Sequence, residues 1–175
     1  MYIDVTVVAA GGVVTVEETP PAAPERAASF DAWVRPHLAA MANLAARMTT
    51  YDDRDDVVQE ALVRAWRKWA TYDEKRGAPL PWLLAITADR ARRRRPNRSV
   101  ELLDRAIVDN PRDVDLEQAI SDLPPRQRLA VDLYYFVGLD VATTAAVMQC
   151  STGTVKSTLS DARARLRQLL DEDQR

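Results

Sequence analysis

LDVATTAAVMQCSTGTVKSTLSDARARLR, from Leu139 to Arg167, carries two helical apolar periods broken at Gln149 and Cys150. Asp140 stands where it caps a helix running to about Met148, because its carboxylate accepts from the free amides of a first turn and suits the positive end of the helix dipole. Val141, Ala145 and Met148 then share one face. Gln149 and Cys150 make a turn, and Ser151 caps a second helix in which Val155, Leu159, Ala162 and Leu166 form an apolar stripe. The opposite face is Thr152, Gly153, Lys156, Ser157, Ser160 and Arg163. Short hydroxyl side chains and a few cations near a helix N-terminus allow close approach to a DNA groove, where they donate to phosphates and base edges. The stretch therefore reads as a helix-turn-helix whose second helix meets nucleic acid. The competing reading is a helical hairpin with a solvated outer face, but such a face usually carries Glu and Lys rather than Thr, Gly and Ser.

Composition places this motif in an all-α chain. With 175 residues there is room for one or two small domains, and 47% hydrophobic residues suffice for real cores. Five Gly and two Phe, against plentiful Ala, Leu and Arg, favour helices over sheets. The net charge of -2 is segregated: an acidic cluster spans Asp52 to Asp56 and a basic one spans Arg90 to Arg98. Segregated charge points to separate partners for separate faces. A single Cys excludes an internal disulfide, and a single His leaves no metal-ligand cluster, so Cys150 reads as a small apolar residue of the helix-turn-helix core. No cofactor site is expected. No apolar run approaches the roughly 18 residues of a membrane span, and the N-terminus lacks the basic start of a secretion signal, so a soluble, unprocessed, cytoplasmic protein is expected.

Residues 1–28 mix a Val/Ala/Gly stretch with a Pro-rich run and read as a mobile extension, the alternative being that Val5 to Val8 docks as an extended segment. Ser29 is the expected cap of a helix carrying Phe30, Trp33, Val34, Leu38, Met41, Leu44, Ala45 and Met48, with Pro36 either interrupting it or opening its main part. The next helix, about Asp53 to Trp69, has two unlike faces. Val58, Ala61, Leu62, Ala65 and Trp69 are expected in the core, and Asp52, Asp55, Asp56, Gln59, Val63 and Trp66 outside. Acids in a first turn are favoured by the dipole alone, and acids without a His, Cys or Gly-turned loop make no calcium loop or catalytic pair. Capping leaves Val63 and Trp66 unexplained, since an aromatic beside exposed acids resembles a protein-binding surface.

After the polar loop Asp73-Glu-Lys-Arg-Gly77, Pro79 and Pro81 lead into a helix from about Trp82 that ends in Arg90, Arg92, Arg93, Arg94 and Arg95. That is more positive charge than a helix C-terminus needs, and it fits a polyanion. Residues 96–114 read as a linker between two domains, 29–95 and 115–171, with 172–175 as a tail. In the second domain Leu116 to Leu123 forms a short helix. Pro124 and Pro125 open another, carrying Leu129, Leu133, Tyr134 and Val137 and stopping at Gly138.

Over about residues 29–171 the chain resembles the extracytoplasmic-function (ECF) group of sigma-70-type RNA polymerase sigma factors. Asp55-Asp-Val-Val-Gln-Glu-Ala-Leu-Val-Arg-Ala-Trp66 looks like the helix of the family's second conserved region, and Pro81-Trp-Leu-Leu-Ala-Ile86 like the start of the next helix. Leu123-Pro-Pro-Arg-Gln-Arg128, with Cys150-Ser-Thr-Gly-Thr-Val-Lys-Ser157, looks like its fourth region. The resemblance implies that Asp52, Asp55, Asp56, Gln59, Val63 and Trp66 bind the clamp of core RNA polymerase. It implies that Lys75, Arg76, Asp89, Arg90, Arg92, Arg93, Arg94 and Arg95 serve the minus-ten element. It assigns Ser151, Thr152, Gly153, Thr154, Lys156, Ser157, Ser160 and Arg163 to the minus-thirty-five duplex. Promoter DNA and core polymerase are the partners implied, with an anti-sigma protein as a further one. Gln149 departs from the family's usual Gly, Thr158 and Asp161 stand where Arg is frequent, and Asp89 replaces a frequent Asn. A positive φ is uncommon without Gly, so a turn at Gln149 that is either strained or slightly reshaped is expected, together with weaker phosphate anchoring.

The function expected is that of a promoter-specificity subunit without catalytic chemistry of its own. The alternatives are a free-standing helix-turn-helix regulator working without polymerase, and a metal-dependent nucleic-acid-processing enzyme built on Asp52, Asp53, Asp55 and Asp56.

Overall fold

The computed structural model describes residues 6–9, 12–15, 23–94 and 111–172. It divides into two compact units, the first ending at Trp33 and the second beginning at Val34.

In the first unit, β1 (Thr6–Ala9) pairs antiparallel with β2 (Gly12–Thr15), Val7 opposite Val14 and Val8 opposite Val13. β-branched residues suit a paired, pleated backbone. The Val-rich stretch is thus extended, as one reading of it held, but its partner is its own neighbour. Helix α1 (Ala23–Val34) starts well before Ser29, because Pro24 falls in its first turn, where a missing amide costs nothing. The Phe30 and Trp33 rings lie 5.8 Å apart. The rest of the expected mobile extension lies outside the described residues.

The second unit contains two helical groups. Pro36 does interrupt the first run: a 3-10 turn over Arg35–His37 separates α1 from α2 (Leu38–Met48). Helix α3 (Tyr51–Trp69) is capped by Thr50, whose hydroxyl accepts from the Asp53 amide at 3.1 Å. Helix α4 (Pro79–Arg93) starts earlier than Trp82, since both prolines fit its first turn. Met41, Leu44, Ala45, Val57, Ala61, Ala65, Leu83, Leu84 and Ala91 are completely buried between these helices.

The second group is α5 (Pro111–Ser121), α6 (Pro125–Val131), α7 (Val141–Met148) and α8 (Thr152–Glu172). Helix α5 begins inside the expected linker, while residues 95–110 lie outside the described ones. Between α6 and α7 the backbone widens into a π-turn over Asp132–Phe136, which buries Asp132 and Leu133 together, and Gly138 ends it at φ 80°. The Arg128 guanidinium donates to the carbonyls of Ser121 and Leu123 and ties α6 to the end of α5. Leu123, Ala130, Val131, Ala145, Val155, Leu159 and Ala162 form this group's core.

The two groups also meet. Helix α7 packs on α4, and Arg47 of α2 donates to Glu117 of α5 at 2.8 Å and to Asp132 at 3.0 Å. Its guanidinium carbon lies 3.7 Å from the centre of the Phe136 ring. Burial works against the Arg47 charge, but the Glu117 hydrogen bond and the Asp132 charge outweigh it and raise its pKa above the usual arginine value.

Gln149 adopts φ 53°, ψ 49°, the strained one of the two turns expected there, because a left-handed residue is needed to turn α7 into α8. A residue with a Cβ there costs about 1 kcal/mol. Gln149→Gly is expected to raise the unfolding midpoint, by an amount partly offset by the greater freedom of glycine in the unfolded chain. Thermal unfolding followed by circular dichroism checks this, and a lowered midpoint would show that the Gln149 side chain contributes more than its backbone costs.

Candidate nucleic-acid and polymerase interfaces

The α7–α8 pair is built from local chemistry. The Asp140 carboxylate accepts from the Thr143 amide at 2.6 Å, and that hydrogen bond holds its pKa below the ordinary carboxylate value, keeping the cap anionic at neutral pH. Ser151 Oγ accepts from the Thr154 amide at 3.1 Å. Val155, Leu159 and Ala162 are buried, Leu166 packs at the edge, and Cys150 lies half-buried against the same core as a free thiol.

The outer face of α8 divides further than spacing showed. Thr152, Gly153, Lys156 and Ser160 are exposed, and a Cβ added at Gly153 would meet only Ser151 Oγ at 3.7 Å. Packing within the protein does not require that glycine. Ser151 and Thr154 are engaged in the cap. Ser157 donates back to the Thr154 carbonyl at 3.0 Å, and Arg163 to the Leu159 carbonyl at 3.2 Å, so these two reach a partner only by giving up a helix contact. Thr158 is buried and donates to the Thr154 carbonyl at 2.7 Å, so its difference from Arg falls on the inner side of the helix. Asp161 is exposed.

On α3 the buried stripe is Val57, Ala61 and Ala65, with Val58, Leu62 and Trp69 half-buried at its margins. Asp52, Asp55, Asp56 and Gln59 are exposed, and Val63 is 50% exposed. Trp66 is half-buried and stacks on Trp69 with ring centres 6.2 Å apart, so it borders the outer face instead of standing clear of it. Arg54 donates to Asp55 at 2.8 Å, and this hydrogen bond lowers the Asp55 pKa. A groove of about 520 Å³ runs beside Asp56, Gln59, Glu60, Val63 and Arg94.

Arg94 differs from the exposed cations of the basic set in being paired on α3. Its guanidinium turns to α3 and donates to Asp53 at 3.2 Å, Asp56 at 2.9 Å and Glu60 at 2.8 Å, because three carboxylates one helical turn apart make a stronger site than solvent. Arg92 and Arg93 are exposed. Asp89 accepts from Arg90 and from Arg93, each at 3.2 Å; burial opposes its charge, but those two guanidinium groups lower its pKa overall. Lys75 is exposed in a 3-10 turn, Glu74–Arg76, that precedes α4 and also contains Arg76. A tertiary contact that no local spacing signals holds this loop: Tyr72 Oη donates to the Gly77 carbonyl at 2.6 Å, and its ring lies 5.3 Å from that of Trp82. Arg95 lies outside the described residues. Among the described residues no group of three or more His, Cys, Asp or Glu could hold a metal ion, and no helix is long and apolar enough to cross a membrane.

Residues 33–99 match the family model described as Sigma-70 region 2, and residues 113–166 match Sigma-70, region 4. The chain is 31% identical over 151 residues to the RNA polymerase sigma-E factor of Streptomyces coelicolor, covering 81% of this chain and 85% of that protein. It is 33% identical over 153 residues to the ECF RNA polymerase sigma factor SigM of Mycobacterium tuberculosis, covering 81% and 77%. Among solved structures it is similar to the sigma factor RpoE of Bartonella quintana in complex with the anti-sigma factor NepR, with a TM-score of 0.62 and 26% identity over 82% of this chain and 97% of that one. The two matched regions in order and the likeness to these relatives over 81% of the chain place it in the ECF group of the sigma-70 family of RNA polymerase sigma factors.

Proposed function

We infer that this sigma factor engages core polymerase through the outer face of α3 and promoter DNA through α4 and α8, as a dissociable subunit working in the cytoplasm without catalytic chemistry or a cofactor of its own. The observation that carries the α3 assignment is its division into a fully buried stripe, Val57, Ala61 and Ala65, and an opposite face where acids and Gln59 flank a half-exposed valine. Polar side chains around an apolar centre suit a protein partner. The exposed cations Lys75, Arg92 and Arg93, with Arg76 in the same turn as Lys75, suit the minus-ten element. Thr152, Gly153, Lys156 and Ser160 suit the minus-thirty-five groove. An anti-sigma protein is the further partner proposed, since the RpoE relative is held by one.

Transcription reconstituted from core polymerase and this chain tests the reading. Starts at defined sites that depend on the chain support it. Tight, salt-resistant binding of promoter duplex by the free chain, with no effect on polymerase, would instead support a free-standing regulator; an overall charge of -2 argues for weak binding by the chain alone.

A further inference from the structure

We propose that Arg94 is a built-in stand-in for a cation of core polymerase: it occupies the acids of α3 in the free chain, and a partner cation takes those acids over on capture. The guanidinium reaches across from the C-terminal end of α4 and spreads over three carboxylates. Its Nη1 donates to Asp53 at 3.2 Å and to Asp56 at 2.9 Å, and its Nη2 to Glu60 at 2.8 Å. The acids stand three and four residues apart, so they line one side of α3 and serve a single guanidinium together.

This pairing is not a core contact. The Arg94 side chain is 30% exposed, and those of Asp56 and Glu60 are 59% and 44% exposed. Exposed ion pairs contribute little to a fold, since water screens them and long side chains lose freedom in holding them. What three pairs on one guanidinium do change is the charge that the face presents to a partner. The groove along α3 is walled by Asp56, Glu60 and Arg94 beside Gln59 and Val63. A partner that fills this groove and pairs with Asp56 or Glu60 competes with Arg94 for the same oxygens.

The inference rests on the assignment of the outer face of α3 to polymerase, and it adds Asp53, Glu60 and Arg94 to that surface. Its consequence is an affinity that the chain holds down by itself: a face whose acids are occupied binds a competing cation more weakly, by the fraction of the time it is free. Removing the competitor returns the charge of all three acids to the face. That strengthens attraction to a cationic partner and makes it more sensitive to salt.

Capture of the chain by immobilised core polymerase, titrated at several salt concentrations, tests this. Arg94→Ala is expected to lower the half-saturating concentration by about threefold to tenfold at low salt and to steepen its rise with salt. Arg94→Gln, which keeps most of the apolar stem, is expected to do the same, and it carries the test if the alanine variant loses its helical circular dichroism. Arg67→Ala removes an exposed cation beside the same groove and is expected to shift capture by less than about twofold. In a chain already carrying Asp56→Asn and Glu60→Gln, Arg94→Ala should bring no gain. Unchanged or weaker capture by the folded Arg94 variants, an equal gain from Arg67→Ala, or loss of the helical signal by both Arg94 variants would overturn the stand-in. Failure of the α3 assignment would show differently, because Asp56→Arg would then leave capture unchanged as well.

Discussion

Replacing Asp56 by Arg is expected to weaken capture by core RNA polymerase by about 2 kcal/mol or more, roughly thirtyfold, with the helices intact. The side chain is 59% exposed and lies across α3 from the buried stripe, so the new cation meets water instead of the core. In the free protein Asp56 accepts from Arg94, but Asp53 and Glu60 accept from the same guanidinium, and both remain in the variant. Loss of one of three exposed pairs costs the fold little, because solvent screens each of them. An interface that receives a cation in place of a carboxylate loses an attraction and gains a repulsion. Retention of the chain on immobilised core polymerase measures the difference. A variant that keeps the wild-type unfolding midpoint and is retained equally well would contradict the assignment of this face.

Lys156→Ala is expected to weaken recognition of the minus-thirty-five duplex by about 1 to 3 kcal/mol if the ammonium reaches a base edge, and to relax the preference at one base pair. The lysine is exposed on α8, one turn beyond the Ser151 cap, and Gly153 beside it leaves room for the partner's backbone. Contact with phosphate alone has another signature: binding falls about equally on all sequences, and its salt dependence flattens. Neither change touches α3, so polymerase capture should be unaltered. Selection from promoters randomised in the upstream element separates the cases, and identical sequences in identical yield from both proteins would remove α8 as the reader.

The α7–α8 pair was readable from sequence because its determinants are local: Asp140 and Ser151 each cap within three residues, and Val155, Leu159 and Ala162 repeat on one face. Gln149 was readable only as a departure from Gly; that the turn keeps the left-handed conformation instead of being reshaped is seen in the backbone alone. Helix α3 was read slightly rotated. Val57 and Val58 are equally apolar, and only packing against Ala45 and Ala91 shows that Val57 is the one fully enclosed. Trp66 was placed outside because periodicity puts it there, but a ring that large lies down on Trp69 and covers itself. The choices of Arg94 and Arg47 were not legible. Their carboxylates come from 34 to 41 and from 70 to 85 residues away, and no local pattern distinguishes a guanidinium that will find a tertiary partner from one left for DNA. The β1–β2 hairpin and the early start of α1 were missed because prolines nearby weighed against regular structure, although a first-turn proline permits it.

One chain is expected to join core polymerase to two promoter elements. Sequencing the 5′ ends of transcripts made from a genomic template library by core polymerase, with and without this chain, decides it. New starts are expected at a discrete set of sites sharing two upstream sequence elements at fixed separation, abolished by Asp56→Arg and altered in the upstream element alone by Lys156→Ala. A start profile identical with and without the chain, at concentrations where the chain is retained on polymerase, would contradict it.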